Sequence, residues 1–413
     1  MKGIMNPERR KTLDYPTMNL LSIGTSLPPH RLSQQQAAAF MVNTLAAAPP
    51  SVKRDRAMAL VERVFPSSGI ENRFTAIPDY LESDPCGFQF YPPTWELEPF
   101  PTTAARMSLF EGWSVKLAEE AARSALRKAD LSPEDVTHLI VCTCTGFFAP
   151  GPDVLLQQRL GLRADVNRQL LGFMGCYAGF TGIRAAEDIV RGNPDAVVLQ
   201  VAVELCSLHF QKRPEPDFMF AHCLFGDGCG AAVFAGEGRS ETPLARVLHT
   251  HSIVSDHSLD QMSWRIGDTG FEMRLSPQVP ETLTREAGVF IDRLLDGNIA
   301  PKEIGTWAIH PGGRKILEEL QLAFEWNDEQ IEPSFSVLRD YSNMSSSTIF
   351  FVLDECLKRG CDAPIAALGF GPGLTIEGFL LQPVTRHVQR TADAESAPML
   401  QGFLAKAQEP VRG

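Results

Sequence analysis

The chain has 413 residues, 38 Lys and Arg against 50 Asp and Glu, a formal charge of −12, and 44% hydrophobic and 21% charged residues. That length suits two packed subdomains rather than one core, and no apolar run approaches the ~18 residues of a membrane span. An acidic chain with no long basic stripe argues against nucleic-acid binding, although an anionic ligand held by a few local cations stays compatible.

At the N-terminus, "MKGIMNPERRKTLDYP" is basic but no apolar segment follows it, so residues 1–19 read as a loose leader and not a signal peptide. The nine cysteines form no regular framework and point to free thiols in a reducing cytoplasm. Cys142 and Cys144 lack the two-residue spacer of a zinc pair, and Cys223 and Cys229 flank "LFGDG", so no metal site is expected.

"SVKLAEEAARSALRKAD" carries helical patterning. "LSPEDVTHLIVCTCTG" (Leu131–Gly146) then places Pro and acidic residues before a short apolar strand and a Gly-containing turn. "LLGFMGCYAGF" (Leu170–Phe180) is a glycine-rich turn leading into the helix "YAGFTGIRAAEDIVRG" and the strand "AVVLQVAV". The second half repeats this plan: a helix in "LTREAGVFIDRLLDG", then "IAPKEIGTWAIHPGG" (Ile299–Gly313), the helix "SSSTIFFVLDECLKRG" and the strand "IAALGF". Pro133 and Pro301 lie 168 positions apart, and so do Gly192 and Gly360. A constant offset across two separate segments marks an internal duplication.

The strands "LIVC", "AVVLQVAV", "WAIH" and "IAALGF" are nearly continuously apolar, as strands buried on both faces are, so an α/β fold with helices covering central sheets is expected. Residues 20–240 form one half and 241–384 the other. The polar tail, 385–413, is expected to be poorly ordered.

The duplication bears on Cys176. Removing the offset aligns it with the Asn343–Met344 region and aligns His310 with Cys142. If the halves pack about a pseudo-twofold axis, Cys176, His310 and Asn343 meet near it. Cys176 precedes a helix, where the dipole and free amides favour a thiolate, and an adjacent imidazolium would favour it further. His310 ends a strand before Pro311-Gly312-Gly313, a turn expected to expose its side chain. His310 and the Asn343 amide could together hold an oxyanion, which makes an acyl-transfer site with a thioester intermediate. The glycines around Cys176 are expected to leave room for an incoming thioester. Taken singly, each residue has a plain structural explanation: a buried Cys as a small hydrophobe, a His in a turn, an Asn capping a helix.

The motifs "GFMGCYAGF", "LFGDG", "WAIHPGGRKIL", "SNMSSSTIFFVL" and "GFGPGLTIEGFLL", in this order, resemble those of type III polyketide synthases, the chalcone synthase-like enzymes, over roughly Leu20 to Leu381. The resemblance implies a thiolase-like duplicated αβαβα layered fold with two pseudo-twofold-related halves. It implies an acyltransferase that loads an acyl-CoA starter on Cys176 and decarboxylates malonyl-CoA beside His310 and Asn343, with no metal or redox cofactor. Phe225 is similar to a gatekeeping phenylalanine between coenzyme A tunnel and cavity. The second gatekeeper falls on Met273, with Phe271 two residues away. Ser345 and the loop residues Gly371, Pro372 and Gly373 shape the cyclisation cavity. Positions that are hydroxylic in plant relatives fall on Cys144, Thr145, Cys206 and His209, and a glycine position falls on Trp264. Arg63 and Arg56 take coenzyme A-binding positions, while a usual lysine has become Ser67.

This altered lining suggests the bacterial alkylresorcinol or alkylpyrone type with a fatty acyl starter, working as a cytoplasmic homodimer without nucleic-acid partners or stable membrane insertion. Three other readings stay open. A ketoacyl-ACP synthase of the initiating type would share fold and triad. A papain-like cysteine protease would share the Cys, His, Asn order but not the signature around its cysteine. A non-enzymatic scaffold of the same fold would normally lose a triad member.

Overall fold

A computed structural model describes residues 18–384 apart from Ser240, His257, Pro277, Asn298 and Cys361; the expected leader up to residue 17 and the tail from 385 lie outside the described residues. The strands are β1 (Met18–Ser26), β2 (His30–Ser33), β3 (Asn72–Thr75), β4 (His138–Thr143), β5 (Asn167–Gly172), β6 (Val197–Leu205), β7 (Asp227–Ala235), β8 (Ala245–Val254), β9 (Met262–Gly267), β10 (Gly270–Leu275), β11 (Thr306–Ile309), β12 (Ile365–Gly371) and β13 (Thr375–Pro383). The helices are α1 (Gln34–Ala47), α2 (Val52–Ser67), α3 (Thr103–Lys128), α4 (Pro152–Leu160), α5 (Ala178–Gly192), α6 (Pro216–Leu224), α7 (Val279–Leu295), α8 (Arg314–Ala323), α9 (Asp328–Tyr341) and α10 (Thr348–Lys358). The first strand therefore begins at Met18, two residues before the expected boundary. None of the described helices is long and apolar enough to cross a membrane.

Nine strands form one sheet in the order β11-β12-β13-β8-β1-β7-β6-β4-β5. The duplication is visible in that order. Reading outward from the central β1–β8 pair, β1-β7-β6-β4 on one side matches β8-β13-β12-β11 on the other. The pairings repeat as well: β4–β6 and β11–β12 are parallel, while β6–β7 and β12–β13 are antiparallel. β5 has no counterpart and ends the sheet at a free edge.

Side chains alternate across each strand, and here both faces are covered. On β4, Leu139 and Val141 enter one apolar cluster, and Ile140 and Cys142 enter another. On β11, Ala308 joins that second cluster, and Trp307 and Ile309 enter a third. The three clusters are three helix layers. α3 covers the first half-sheet, α7 covers the second, and α5 and α10 lie together in the central layer against strands of both halves. The continuous apolar strands thus arise because each is sandwiched. Two small ribbons stand apart from the main sheet, β2–β3 and the hairpin β9–β10.

Candidate active site

Cys176 lies two residues before α5, in a turn that Gly175 makes at φ +86°. A Cβ on Gly175 would come 2.5 Å from Cδ of Pro372, so glycine lets the turn lie against the β12–β13 connection of the other half. The neighbouring glycines do the same. A Cβ on Gly172 would strike the Phe147 ring, and one on Gly179 would sit 2.4 Å from the Ser346 carbonyl oxygen at the start of α10. They make room for other protein segments, Phe147 of the same half and Pro372 and Ser346 of the facing half, which corrects the expectation that they clear a path for a thioester.

His310 follows β11 and is fixed by its backbone N–H donating to Leu368 of β12 at 2.7 Å. The side chain is 1% exposed, not exposed as the turn suggested, and neither ring nitrogen has a hydrogen-bond partner. Both nitrogens of a buried imidazole without partners are uncommon outside functional sites. Asn343 lies just before α10. Its backbone forms an isolated bridge with Phe225: Asn343 N–H donates to Leu224 and Gly226 N–H donates to Asn343, both at 3.0 Å. Its Oδ1 accepts from Ser345 N–H at 2.8 Å, and Nδ2 and Oδ1 both lie 4.0 Å from Cys176 Sγ.

Burial raises the Cys176 thiol to about 11, with hydrogen bonds from Ser345 and Asn343 pulling it back. Burial alone lowers His310 to about 3. The resting pair is thus a neutral thiol and a neutral imidazole, where the helix-start argument had favoured a standing thiolate. Desolvation outweighs the few partial charges at the helix start.

Cys176, His310 and Asn343 face one cavity, with empty space of about 1170 Å³ counting its open mouth. Phe225, Met273, Cys144, Thr145, Cys206, His209, Trp264, Ser345 and Pro372 line the same cavity. The hairpin β9–β10 forms one wall because its cross-strand pairs place Met262, Trp264, Phe271, Met273 and Leu275 on a single face. Arg265 and Arg274 occupy the opposite, exposed face.

Residues 6–238 match chalcone and stilbene synthases, N-terminal domain, and residues 250–385 match their C-terminal domain. The chain belongs to this family. It is 31% identical to 1,3,6,8-tetrahydroxynaphthalene synthase of Streptomyces peucetius over 91% of this chain and 95% of that one. It is also 31% identical to an alpha-pyrone synthesis polyketide synthase-like protein of Mycobacterium tuberculosis, covering 89% of this chain and 91% of that protein. The crystal structure of PKS-I from the brown alga Ectocarpus siliculosus superposes with a TM-score of 0.83 at 30% identity, over 91% of this chain and all of that one. The protein is therefore a type III polyketide synthase, an acyltransferase, with the family's thiolase-like fold.

Other expected positions fall elsewhere in this polyketide synthase. Gly371 and Gly373 do not border the cavity. Gly371 gives way to the Tyr177 ring, where a Cβ would be 2.5 Å from Cδ1, and Gly373 turns the chain at φ +75°. Of that loop only Pro372 reaches inside. Met273 and Phe271 both face the cavity, and Phe271 stacks on His209 at 4.1 Å between centroids. His209 is held neutral, lowered to about 3 by burial, with Nε2 on Thr145 O at 2.7 Å and Nδ1 accepting from Phe271 N–H at 3.0 Å. Arg56 and Arg63 lie on the exposed face of α2, outside the cavity.

Sequence reasoning missed Glu204. It is fully buried at the end of β6, and burial raises its pKa. Its carboxylate accepts from Cys144 N–H at 3.0 Å, from the Thr145 hydroxyl at 2.7 Å and from the Ser346 hydroxyl. The cavity wall beside Cys176 is thus tied to the start of α10. An acid closing the apolar run "VVLQVAVEL" was the available signal.

Gly175→Ala places a side chain at positive φ and against Pro372. We expect it to destabilise the fold by ~1–3 kcal/mol, seen as a lowered midpoint in urea; wild-type stability would contradict the close approach.

Proposed function

We propose that Cys176 is the nucleophile, His310 the proton carrier and Asn343 the amide donor of an iterative decarboxylative condensation. Their convergence on one cavity, from opposite halves of the duplicated fold, carries this reading. Cys176 passes its proton to His310 and attacks the starter thioester, and coenzyme A leaves as a thiol with a proton returned by His310. Malonyl-CoA then loses carbon dioxide, and its enolate oxygen is held by His310 and Asn343. The enolate carbon bonds to the acyl carbonyl as the carbon–sulfur bond to Cys176 breaks. Loss of carbon dioxide drives each cycle, so the reaction needs no metal or redox cofactor.

The starter is a fatty acyl-CoA and the product an alkylresorcinol. The cavity supports this with the apolar part of its wall, including Phe210, Phe218, Met262, Leu275 and Ile316. Closure to an alkylpyrone is the second reading, favoured by the similarity to the mycobacterial protein named for alpha-pyrone synthesis. Phe225 gates the entrance. Arg56 and Arg63 hold coenzyme A phosphates; neither has a described carboxylate partner, and α2 packs on α6, whose end carries Phe225. The enzyme works in the cytoplasm as a homodimer. β5 is one of the two edge strands of the sheet, with Asn167 to Leu170 exposed, and unpaired edges of this kind join copies. Light scattering should give twice the chain mass, and a monomer would contradict the pairing.

Incubation with malonyl-CoA and a panel of acyl-CoA starters, followed by mass spectrometry, tests the function. Long-chain starters should yield alkylresorcinols, whereas exclusive use of carrier-protein malonate would indicate a ketoacyl synthase. Cys176→Ala should abolish chain extension yet release carbon dioxide from malonyl-CoA; His310→Ala should lose both reactions. Full condensation by the first variant or undiminished decarboxylation by the second would refute these roles. The raised thiol pKa sets a further expectation. If the imidazole takes the thiol proton, alkylation of Cys176 by iodoacetamide at neutral pH should be slower in His310→Ala than in the wild type, since burial holds the unassisted thiol at about 11. An unchanged rate would show that the imidazole does not assist the thiol.

A further inference from the structure

One buried charge has no part in this chemistry. Arg73 on β3 is 2% exposed and borders the cavity, and among the described residues no carboxylate lies within ion-pair distance of it. Burial lowers it to about 10, so it stays charged at neutral pH. Asp227, the acid whose charge it feels, already accepts from Ser207 N–H, the Ser207 hydroxyl and Ala76 N–H.

The guanidinium instead serves the end of α6. The last carbonyls of a helix have no partner within it and must find one elsewhere. Here each is accounted for. Ala221 accepts from Phe225 N–H at 3.1 Å, and Leu224 accepts from Asn343 N–H at 3.0 Å. Arg73 Nη1 donates to His222 and to Phe225, the latter at 2.8 Å, and Nη2 donates to Cys223 at 2.5 Å. Gln34 completes the cluster, accepting from Arg73 Nη2 and donating to Cys223 at 3.0 Å. A cation at a helix C-terminus also suits the dipole. One planar fork therefore holds His222, Cys223 and Phe225, and the Phe225–Asn343 bridge carries that constraint to the amide beside Cys176.

We propose that Arg73 is a positioning residue: it holds the Phe225 ring and the Asn343 amide in register, and thereby couples malonyl decarboxylation to carbon–carbon bond formation. This rests on the condensing role proposed for Cys176, His310 and Asn343. Once carbon dioxide has left, the enolate has two fates. In register, its carbon attacks the acyl carbonyl and expels Cys176 as thiolate. Out of register, it takes a proton from solvent, so that malonyl-CoA and one proton give acetyl-CoA and carbon dioxide. Lysine cannot replace the fork, because a point ammonium cannot reach carbonyls on both sides at once.

The test compares Arg73→Lys and Gln34→Ala with the wild type, measuring acetyl-CoA and polyketide released from malonyl-CoA and a long-chain acyl-CoA. In Arg73→Lys we expect the yield of polyketide per carbon dioxide to fall about 10- to 100-fold, a typical consequence of small misplacement, while decarboxylation continues. Gln34→Ala keeps the charge and frees one arm of the fork, so it should shift the ratio the same way by less; it decides the matter if Arg73→Lys does not fold. An unaltered ratio in the folded variants, whatever the total rate, would overturn the proposal, because a structural defect lowers both products together. A wild type that releases no carbon dioxide from malonyl-CoA would refute the underlying condensation reading instead.

Discussion

The site depends on the starts of two helices approaching more closely than side chains normally allow. Gly179 in the first turn of α5 rests against the Ser346 carbonyl that precedes α10, and a methyl group there would overlap that oxygen at 2.4 Å. Cys176 enters the first helix and Asn343 precedes the second, so this contact sets the distance between sulfur and amide. The sheet order makes the contact possible. Two copies of one strand arrangement meet at β1–β8, and the central helix layer is common to both. Neither half alone holds the trio.

Around that contact the polar groups divide into two kinds. Glu204, Asp227, Arg73 and His209 are buried with hydrogen-bond partners, and they fix backbone segments in place. His310 is equally buried but unpartnered, and Asn343, whose oxygen accepts from Ser345 N–H, sets its amide 4.0 Å from the Cys176 sulfur. Buried polar groups are ordinarily satisfied, and the role proposed for His310 would supply its missing partner from a substrate. On that reading the apolar cavity beyond would strengthen the interaction, since an oxyanion there competes with little water.

Much of this was legible in the sequence, and the reason is the duplication. β4 and β11, and β6 and β12, begin 168 residues apart, so the strand ends carrying His310 and the turn carrying Cys176 could be related by subtraction. Beyond those segments the spacing breaks: β7 begins at Asp227 and β13 at Thr375, 148 apart. What stayed illegible is what depends on contacts between distant segments. The enclosure of His310 could not be read from the turn "HPGG", because burial is set by packing that the local sequence does not display. The glycines of "LLGFMGCYAGF" looked like a clearance for substrate, and only Pro372, Phe147 and Ser346 reveal what they clear. Arg73 and Glu204 gave weak signals because their partners are backbone groups and neutral side chains distant in sequence, which no residue pattern marks.

The central claim is that Cys176 carries the growing acyl chain. Intact-protein mass spectrometry after brief exposure to a long-chain acyl-CoA, without malonyl-CoA, tests it most directly. The account predicts one acyl group per chain, mapped to Cys176, released by neutral hydroxylamine and absent from Cys176→Ser. An unmodified protein, or an adduct that persists on Cys144 or Cys206 when Cys176 is replaced, would contradict it.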